Sequence, residues 1–259
     1  MSYSATTAFQ APVAARGAEL WEMYNAMQPM TEGDHFIKAT FSGGCLWCLQ
    51  PPFDTLDGVV ATVVGYTGGR KTNPSYEDVT AGRTGHALAV QMLYDVRRIS
   101  YSQLLEVFWH NIDPTVPNRQ FCAKGAQYCA AIFYHDETQK HLAEASKQAL
   151  AASPRFAGRI VTRISPLEAF YQAAACHQHA YCTHSQCYRL CRVACDRAHR
   201  LRDLWGEPLP HCQNTCGANM EEHHDQPYAL LPHAPLLRRF AGRNGQPQYA
   251  IGAVWMWWG

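Results

Sequence analysis

Residues 36–54 read FIKATFSGGCLWCLQPPFD. Phe36 to Phe41 is an apolar run with the look of a strand, and Gly43-Gly44 delivers Cys45 just after it. Leu46 to Asp57 then carries a helix-compatible pattern, in which Pro51 and Pro52 are tolerable only near the first turn. Strand, glycine pair, cysteine and helix in that order put the Cys45 sulfur at a helix start. Backbone N–H groups point outward there and the dipole is positive. A thiol in that place is biased toward the thiolate, the form that attacks electrophiles. The glycines permit backbone angles a side chain forbids and leave room for a substrate over the sulfur. The competing reading of the same residues is a buried, inert cysteine behind a turn.

The chain has 259 residues, 47% hydrophobic and 17% charged, which fits one medium domain with extensions or at most two domains. Lys and Arg number 22 against 21 Asp and Glu, so no global field draws in nucleic acid or an anionic membrane. Met1 to Gly17 lacks a basic start and an apolar h-region, so no secretory signal is read. No apolar run approaches the ~18 residues needed to cross a bilayer. Eleven cysteines is an odd number, and they cannot all pair within one chain. A reducing, cytoplasmic setting is therefore expected, in which clustered cysteines point to redox chemistry or metal binding rather than a static disulfide frame.

Outward from the opening stretch, residues 1–34 read as an N-terminal arm with a helical patch at Ala18 to Met27. Val59 to Tyr66 and His86 to Tyr94 read as strands, separated by a Gly- and Asn-Pro-bearing loop. Ser102 to Ile112 has helical apolar spacing, Gln127 to Tyr134 a strand pattern, Asp136 to about Ala152 a helix, and Arg159 to Ile164 another strand. The order predicts an α+β fold: a small mixed sheet flanked by helices, with a ferredoxin-like α/β sandwich core. Residues 176–224 hold seven cysteines and seven histidines. A catalytic domain is expected over 35–206 and an irregular tail over 207–259, whose tryptophans Trp255, Trp257 and Trp258 dock on the domain.

Taken together, several segments resemble the peptide-methionine (S)-S-oxide reductases, the A-type methionine sulfoxide reductases. They are Gly43-Gly44-Cys45-Leu46-Trp47-Cys48, Pro51-Pro52-Phe53-Asp54, Gly65-Tyr66-Thr67-Gly68-Gly69, Asn73-Pro74-Ser75-Tyr76 and Gly85-His86-Ala87. The series continues with Phe108-Trp109-His110-Asn111, Asp113-Pro114-Thr115, Arg119-Gln120-Phe121-Cys122, Gly125-Ala126-Gln127-Tyr128, His177-Gln178 and Arg200-Leu201 through Trp205-Gly206. The resemblance covers about residues 36 to 206. It implies that Cys45 attacks the sulfoxide sulfur of free or protein-bound methionine-S-sulfoxide. The sulfenic acid formed on Cys45 is then trapped by a resolving cysteine, matched here by Cys195, and thioredoxin or dithiothreitol resets the disulfide. No cofactor is implied beyond that external thiol reductant, and a monomer is expected. Leu46 and Trp47 match the methyl pocket, Tyr76 and Tyr128 match tyrosines that hydrogen-bond the sulfoxide oxygen, and His86 a supporting residue.

The departures fall on carboxylates. Leu88 stands where the family carries its proton-donating glutamate, and Ala123 where it carries an orienting aspartate. Gln50 stands for a further glutamate, and Ala174 and Ala175 for an acidic pair. Gln50, Leu88 and Ala123 therefore count as altered pocket positions, and the thiolate of Cys45 should form more easily without them. A damaged reductase fits this pattern, as does a thiol catalyst turned to another sulfur substrate or a non-catalytic Cys/His-rich protein. Cys187, Cys191 and Cys195 recur every four residues and would form one stripe on a helix. With Cys182 and His184 nearby they are weak soft-metal candidates; a relay of resolving thiols, or simple packing, are the other readings. Cys48 and Cys122 read as packing residues.

Overall fold

The apolar run Phe36 to Phe41 becomes part of β1, Phe36–Gly43, whose Ala39 and Phe41 are wholly buried. The computed structural model describes residues 35–156, 159–207 and 209, together with 239–241 and 247–249. The side chains of Cys187, Leu190, Cys191 and the last two stretches are outside that description. The expected arm at 1–34, Cys212 and Cys216, and the terminal tryptophans also lie outside the described residues.

β1 is flanked by β3, Ala87–Asp95, and β6, Ala130–Tyr134, both antiparallel to it. Beyond β3 lie β2, Val59–Thr67, and the short β8, Phe170–Gln172. Beyond β6 lies β7, Arg163–Pro166, parallel to it. The six-stranded order β7-β6-β1-β3-β2-β8 is thus a mixed sheet, as the alternation of helix and strand patterns predicts. Its one parallel pair needs a crossover, supplied by α5, Glu137–Ala152, which Asp136 caps through the Gln139 amide. The second covering helix, α4, Tyr101–His110, opens with a capping box between Ser100 and Gln103. Its Leu104, Leu105 and Phe108 are buried against β1, where Phe41 stacks at 4.9 Å on Phe108 and 5.5 Å on Phe53.

Three sequence expectations shift, each for a local reason. The helix read over Leu46 to Asp57 is two single turns, α1 at Leu46–Leu49 and α2 at Pro51–Asp54. Pro51 has no N–H to continue the first turn and instead opens the second, with Gln50 as the joint between them. The strand read from Gln127 begins only at Ala130, because its partner β1 ends at Gly43 opposite that residue. Ala126–Tyr128 forms a 3-10 turn instead, and the Gln127 side chain donates to the Thr80 carbonyl at 2.9 Å. The strand read from Arg159 begins at Arg163, since the Val161 amide is taken by the Pro114 carbonyl.

After β8 the chain forms a 3-10 turn at Ala175–His177 and three helices: α6, Ala180–Thr183; α7, Ser185–Ala194; and α8, Arg197–Trp205. Backbone packing separates Met1–Ala218 from Asn219–Gly259 as two units. Within the second, in the stretch expected to be irregular, Arg239–Ala241 and Pro247–Tyr249 pair antiparallel. No described helix is long and apolar enough to cross a membrane.

Candidate active site

Both glycines before the cysteine are forced by contact. A Cβ on Gly43 would stand 2.5 Å from the Ile112 side chain. Gly44 has φ +93° and would meet Gln120 Cβ at 2.7 Å, so this turn admits only glycine. The chain then enters α1 with Cys45 as N-cap residue, in extended conformation, its carbonyl accepting from the Cys48 and Leu49 amides. Its side chain makes no cap hydrogen bond. The sulfur is half-buried, beside Cys48, Trp47, Tyr181, Tyr188 and Cys182.

A helix of four residues carries little of the dipole that the sequence pattern suggests. The nearby full charge is Arg197, a fully buried guanidinium on the first turn of α8. Burial pulls its pKa down, while the Cys48 thiol, the Tyr188 phenol and Cys45 push it up. That coupling is mutual, so the guanidinium favours an anionic sulfur beside it. Arg197 also donates to the Asn111 carbonyl at 2.6 Å and lies 4.5 Å over the Phe121 ring. Arg200 pairs with Asp113 at 2.8 Å and the Trp205 indole donates to the Ile112 carbonyl. The Arg-x-x-Arg spacing with Trp205 on the same helical face thus clamps α8 onto residues 111–113. That spacing was the available signal for Arg197, which the sequence reading did not single out.

Tyr76 begins α3, Tyr76–Thr80, after a Ser75–Asp78 capping box. Asp78 is tied to Lys71 at 2.6 Å, and that contact, then the Ser75 amide, holds its carboxyl down at about 2. The bond from Gln127 to the end of α3 brings Tyr128 alongside. Burial, then Tyr128 and Cys45, push the Tyr76 phenol far up; burial, then Cys45, push Tyr128 up. Both stay protonated O–H donors at any ordinary pH. His177 stacks on Tyr76 at 4.3 Å and lies 6.4 Å from Trp47, held there because the Gln178 amide pairs with both backbone groups of Val64. Among the described side chains the buried Nδ1 of His177 finds no hydrogen-bond partner. Its pKa is lowered, first by burial, then by His184, against the Glu77 charge.

The positions read as altered carboxylates differ in fate. Leu88 is buried in the cluster that contains Leu46 and Tyr66 and against which Trp47, Tyr76 and Tyr128 pack. Ala123 is half-buried in a two-strand hairpin, β4 at Arg119–Gln120 with β5 at Ala123–Lys124. Gln50, read as a pocket residue, is wholly buried and uses both ends of its amide structurally. It donates to Thr62 Oγ1 and accepts from the His179 amide, each at 2.9 Å. A glutamate could not make the first of these bonds. The same knot holds Asp54, which accepts from Thr62 and from Tyr181 and His179 in the α6 segment. Asp54→Ala strands these donors, and we expect a loss of about 2–4 kcal/mol and roughly 5–15 °C in melting temperature. Thermal unfolding followed by circular dichroism checks it; an unchanged midpoint would refute the pinning role.

His86 is buried, accepting from the Gly69 amide at 3.0 Å and donating to the Lys71 carbonyl at 2.7 Å. Both nitrogens are thus spent on the 68–71 loop, and its support of the site is indirect. Cys122, expected to be mere packing, is disulfide-bonded to Cys195 with Cα atoms 4.8 Å apart. The hairpin carries it out to the turn between α7 and α8, which spacing along the sequence could not reveal. Cys182 is disulfide-bonded too. Cys129 is buried and accepts from Arg163. Among the described residues no three His, Cys, Asp or Glu side chains converge on a metal site, and the side chains of Cys187 and Cys191 lie outside them.

The family model "Peptide methionine sulfoxide reductase" matches residues 37–209. The peptide methionine sulfoxide reductase MsrA of Bacillus subtilis (strain 168) is 48% identical over 168 residues, 65% of this chain and 95% of that protein. The Listeria monocytogenes serotype 4a protein of the same name is 46% identical with the same coverage. Among solved structures, Mxr1 of Saccharomyces cerevisiae in reduced form matches at a TM-score of 0.54 and 27% identity, over 60% of this chain and 89% of that one. Methionine sulfoxide reductase A of Corynebacterium diphtheriae matches at 0.52 and 30%, over 60% and 79%. Family model and curated relatives agree, and the chain belongs to the peptide methionine sulfoxide reductase family.

Proposed function

We propose that the chain reduces methionine-S-sulfoxide, free or in proteins, with Cys45 as nucleophile, Cys195 as resolving thiol and thioredoxin as reductant. The observation that carries this reading is Cys45 itself: a half-buried thiol at the end of a glycine turn, electrostatically coupled to the phenols of Tyr76 and Tyr128. Trp47 and Leu46 supply the apolar wall for the methyl group, and the neutral phenols donate to the sulfoxide oxygen. As Cys45 attacks, its sulfur takes the oxygen, methionine leaves as thioether, and one proton must reach the oxygen. Cys195 then attacks the sulfenic sulfur, forming Cys45–Cys195 and releasing water. Thioredoxin's dithiol returns both cysteines to thiols.

A burst experiment tests this. The reduced full chain, given methionine-S-sulfoxide in excess without reductant, should release at least one methionine per chain and, quenched early, carry a Cys45–Cys195 disulfide in its peptide map. The R epimer should release none. Release that survives Cys45→Ser, or equal release from both epimers, would sink the reading.

A further inference from the structure

We infer that Cys122 is the last thiol of the catalytic cycle: it displaces Cys45 from the Cys45–Cys195 bridge and offers the resulting Cys122–Cys195 disulfide to the reductant. This rests on the assignment of Cys45 and Cys195 above and adds a residue to it. Cys195 is bonded to Cys122, the more exposed of the two partners. The bond lines a concavity of about 280 Å³ with Phe121, Arg119, Asp196 and Arg200. Cys45 does not line that concavity.

The two sulfur centres are nevertheless adjacent in the fold. Gln120, two residues before Cys122, packs against Gly44, the residue before Cys45. Arg197, two residues after Cys195, feels the charge of Cys45 and Cys48 and covers the ring of Phe121. One buried guanidinium thus reaches from the nucleophile to the hairpin, and it favours the thiolate that Cys45 becomes when it is displaced. Asp196, between them, holds a left-handed φ of +50°, which sets a sharp corner between α7 and α8. Cys195 sits at that corner, facing the hairpin on one side and the start of α8 on the other.

The steps balance as follows. The Cys122 thiolate attacks the Cys195 sulfur of Cys45–Cys195, so the Cys122–Cys195 bond forms and Cys45 leaves as a thiolate. No electrons are gained or lost by the chain in this exchange. The reductant's dithiol then attacks the exposed Cys122 sulfur, accepts the disulfide and leaves Cys122 and Cys195 as thiols. Cys45 is ready for sulfoxide one step earlier than if reductant had to reach it beneath α6 and α7.

The reduced chain is given one equivalent of methionine-S-sulfoxide, acid-quenched at times from milliseconds to minutes, alkylated and mapped by mass spectrometry. A Cys45–Cys195 bridge should appear first and give way to Cys122–Cys195. Cys122→Ser should stop at Cys45–Cys195 and lose at least tenfold in steady-state turnover with thioredoxin, thioredoxin reductase and NADPH. A final bridge from Cys45 to Cys48 or Cys182 overturns the inference. So does a folded Cys122→Ser chain turning over with thioredoxin at the parent rate. Should the serine variant not fold, Cys122→Ala and the parent's time course decide the matter. If the parent releases no methionine at all, the Cys45 assignment fails instead, a separate result.

Discussion

Cys45→Ser should lose sulfoxide reduction by on the order of 10⁴-fold or more, while the protein becomes slightly harder to melt. The two effects have one origin. Cys45 is the N-cap residue of α1, in the extended conformation an N-cap takes, yet its side chain caps nothing. Serine is among the best N-caps and places a hydroxyl oxygen where the Trp47 or Cys48 amide can reach it, worth about 0.5–1 kcal/mol. On the proposed assignment, sulfur at this position costs the fold a cap in exchange for a nucleophile, a familiar trade at active sites. A serine hydroxyl cannot take the thiol's role, because it stays protonated unless a base is beside it, and the neighbouring phenols are donors held neutral by burial. Parallel assays of turnover with dithiothreitol and of melting temperature check both halves. A Cys45→Ser protein that reduces sulfoxide would remove the mechanism; one that melts well below the parent would remove the cap argument.

How far the sequence spoke for the structure depends on the range of the cause. Strands β1, β2 and β3 were legible because apolar runs and flanking glycines are local signals. Capping boxes at Ser75 and Ser100 are local too. The helix over Leu46 to Asp57 was misjudged by one joint, although the two prolines that divide it were in view. What stayed hidden was long-range. No pattern announces that Gln50 reaches His179, 129 residues away, or that Cys122 meets Cys195 across 73. Arg197 carried only a weak signal, its spacing to Arg200 and Trp205, and its burial beside two thiols is a tertiary fact. The carboxylate losses were legible as identities, yet their meaning differs by site. At position 50 the amide builds a bond that a carboxylate could not make, so that change serves the fold. At position 88 the leucine joins the buried cluster on which Trp47, Tyr76 and Tyr128 pack, and on the proposed assignment that change bears on the reaction.

Leu88→Glu should raise the rate of sulfoxide reduction by about 10² to 10⁴, the usual worth of a positioned proton donor. Leu88 is 2% exposed, in the buried cluster that also holds Leu46 and against which Trp47, Tyr76 and Tyr128 pack. On the proposed reaction, with no acid there, the departing oxygen depends on phenols whose pKa burial has pushed far up and on an imidazole, stacked on Tyr76, whose pKa burial has pulled down. The phenols can polarise the S–O bond but surrender a proton poorly, and burial works against the protonated form of His177. A glutamate in this apolar wall has its own pKa raised by desolvation, which makes it a stocked acid near neutrality. The sign with pH follows: the gain should be full below that raised pKa and fade as pH climbs through it. Burying the carboxyl should cost about 2–4 kcal/mol of stability, so rates belong well below the melting range, beside a circular dichroism spectrum. A folded Leu88→Glu chain no faster than the parent at any pH would mean that proton delivery is not what limits this enzyme, and that the phenol pair with His177 already suffices.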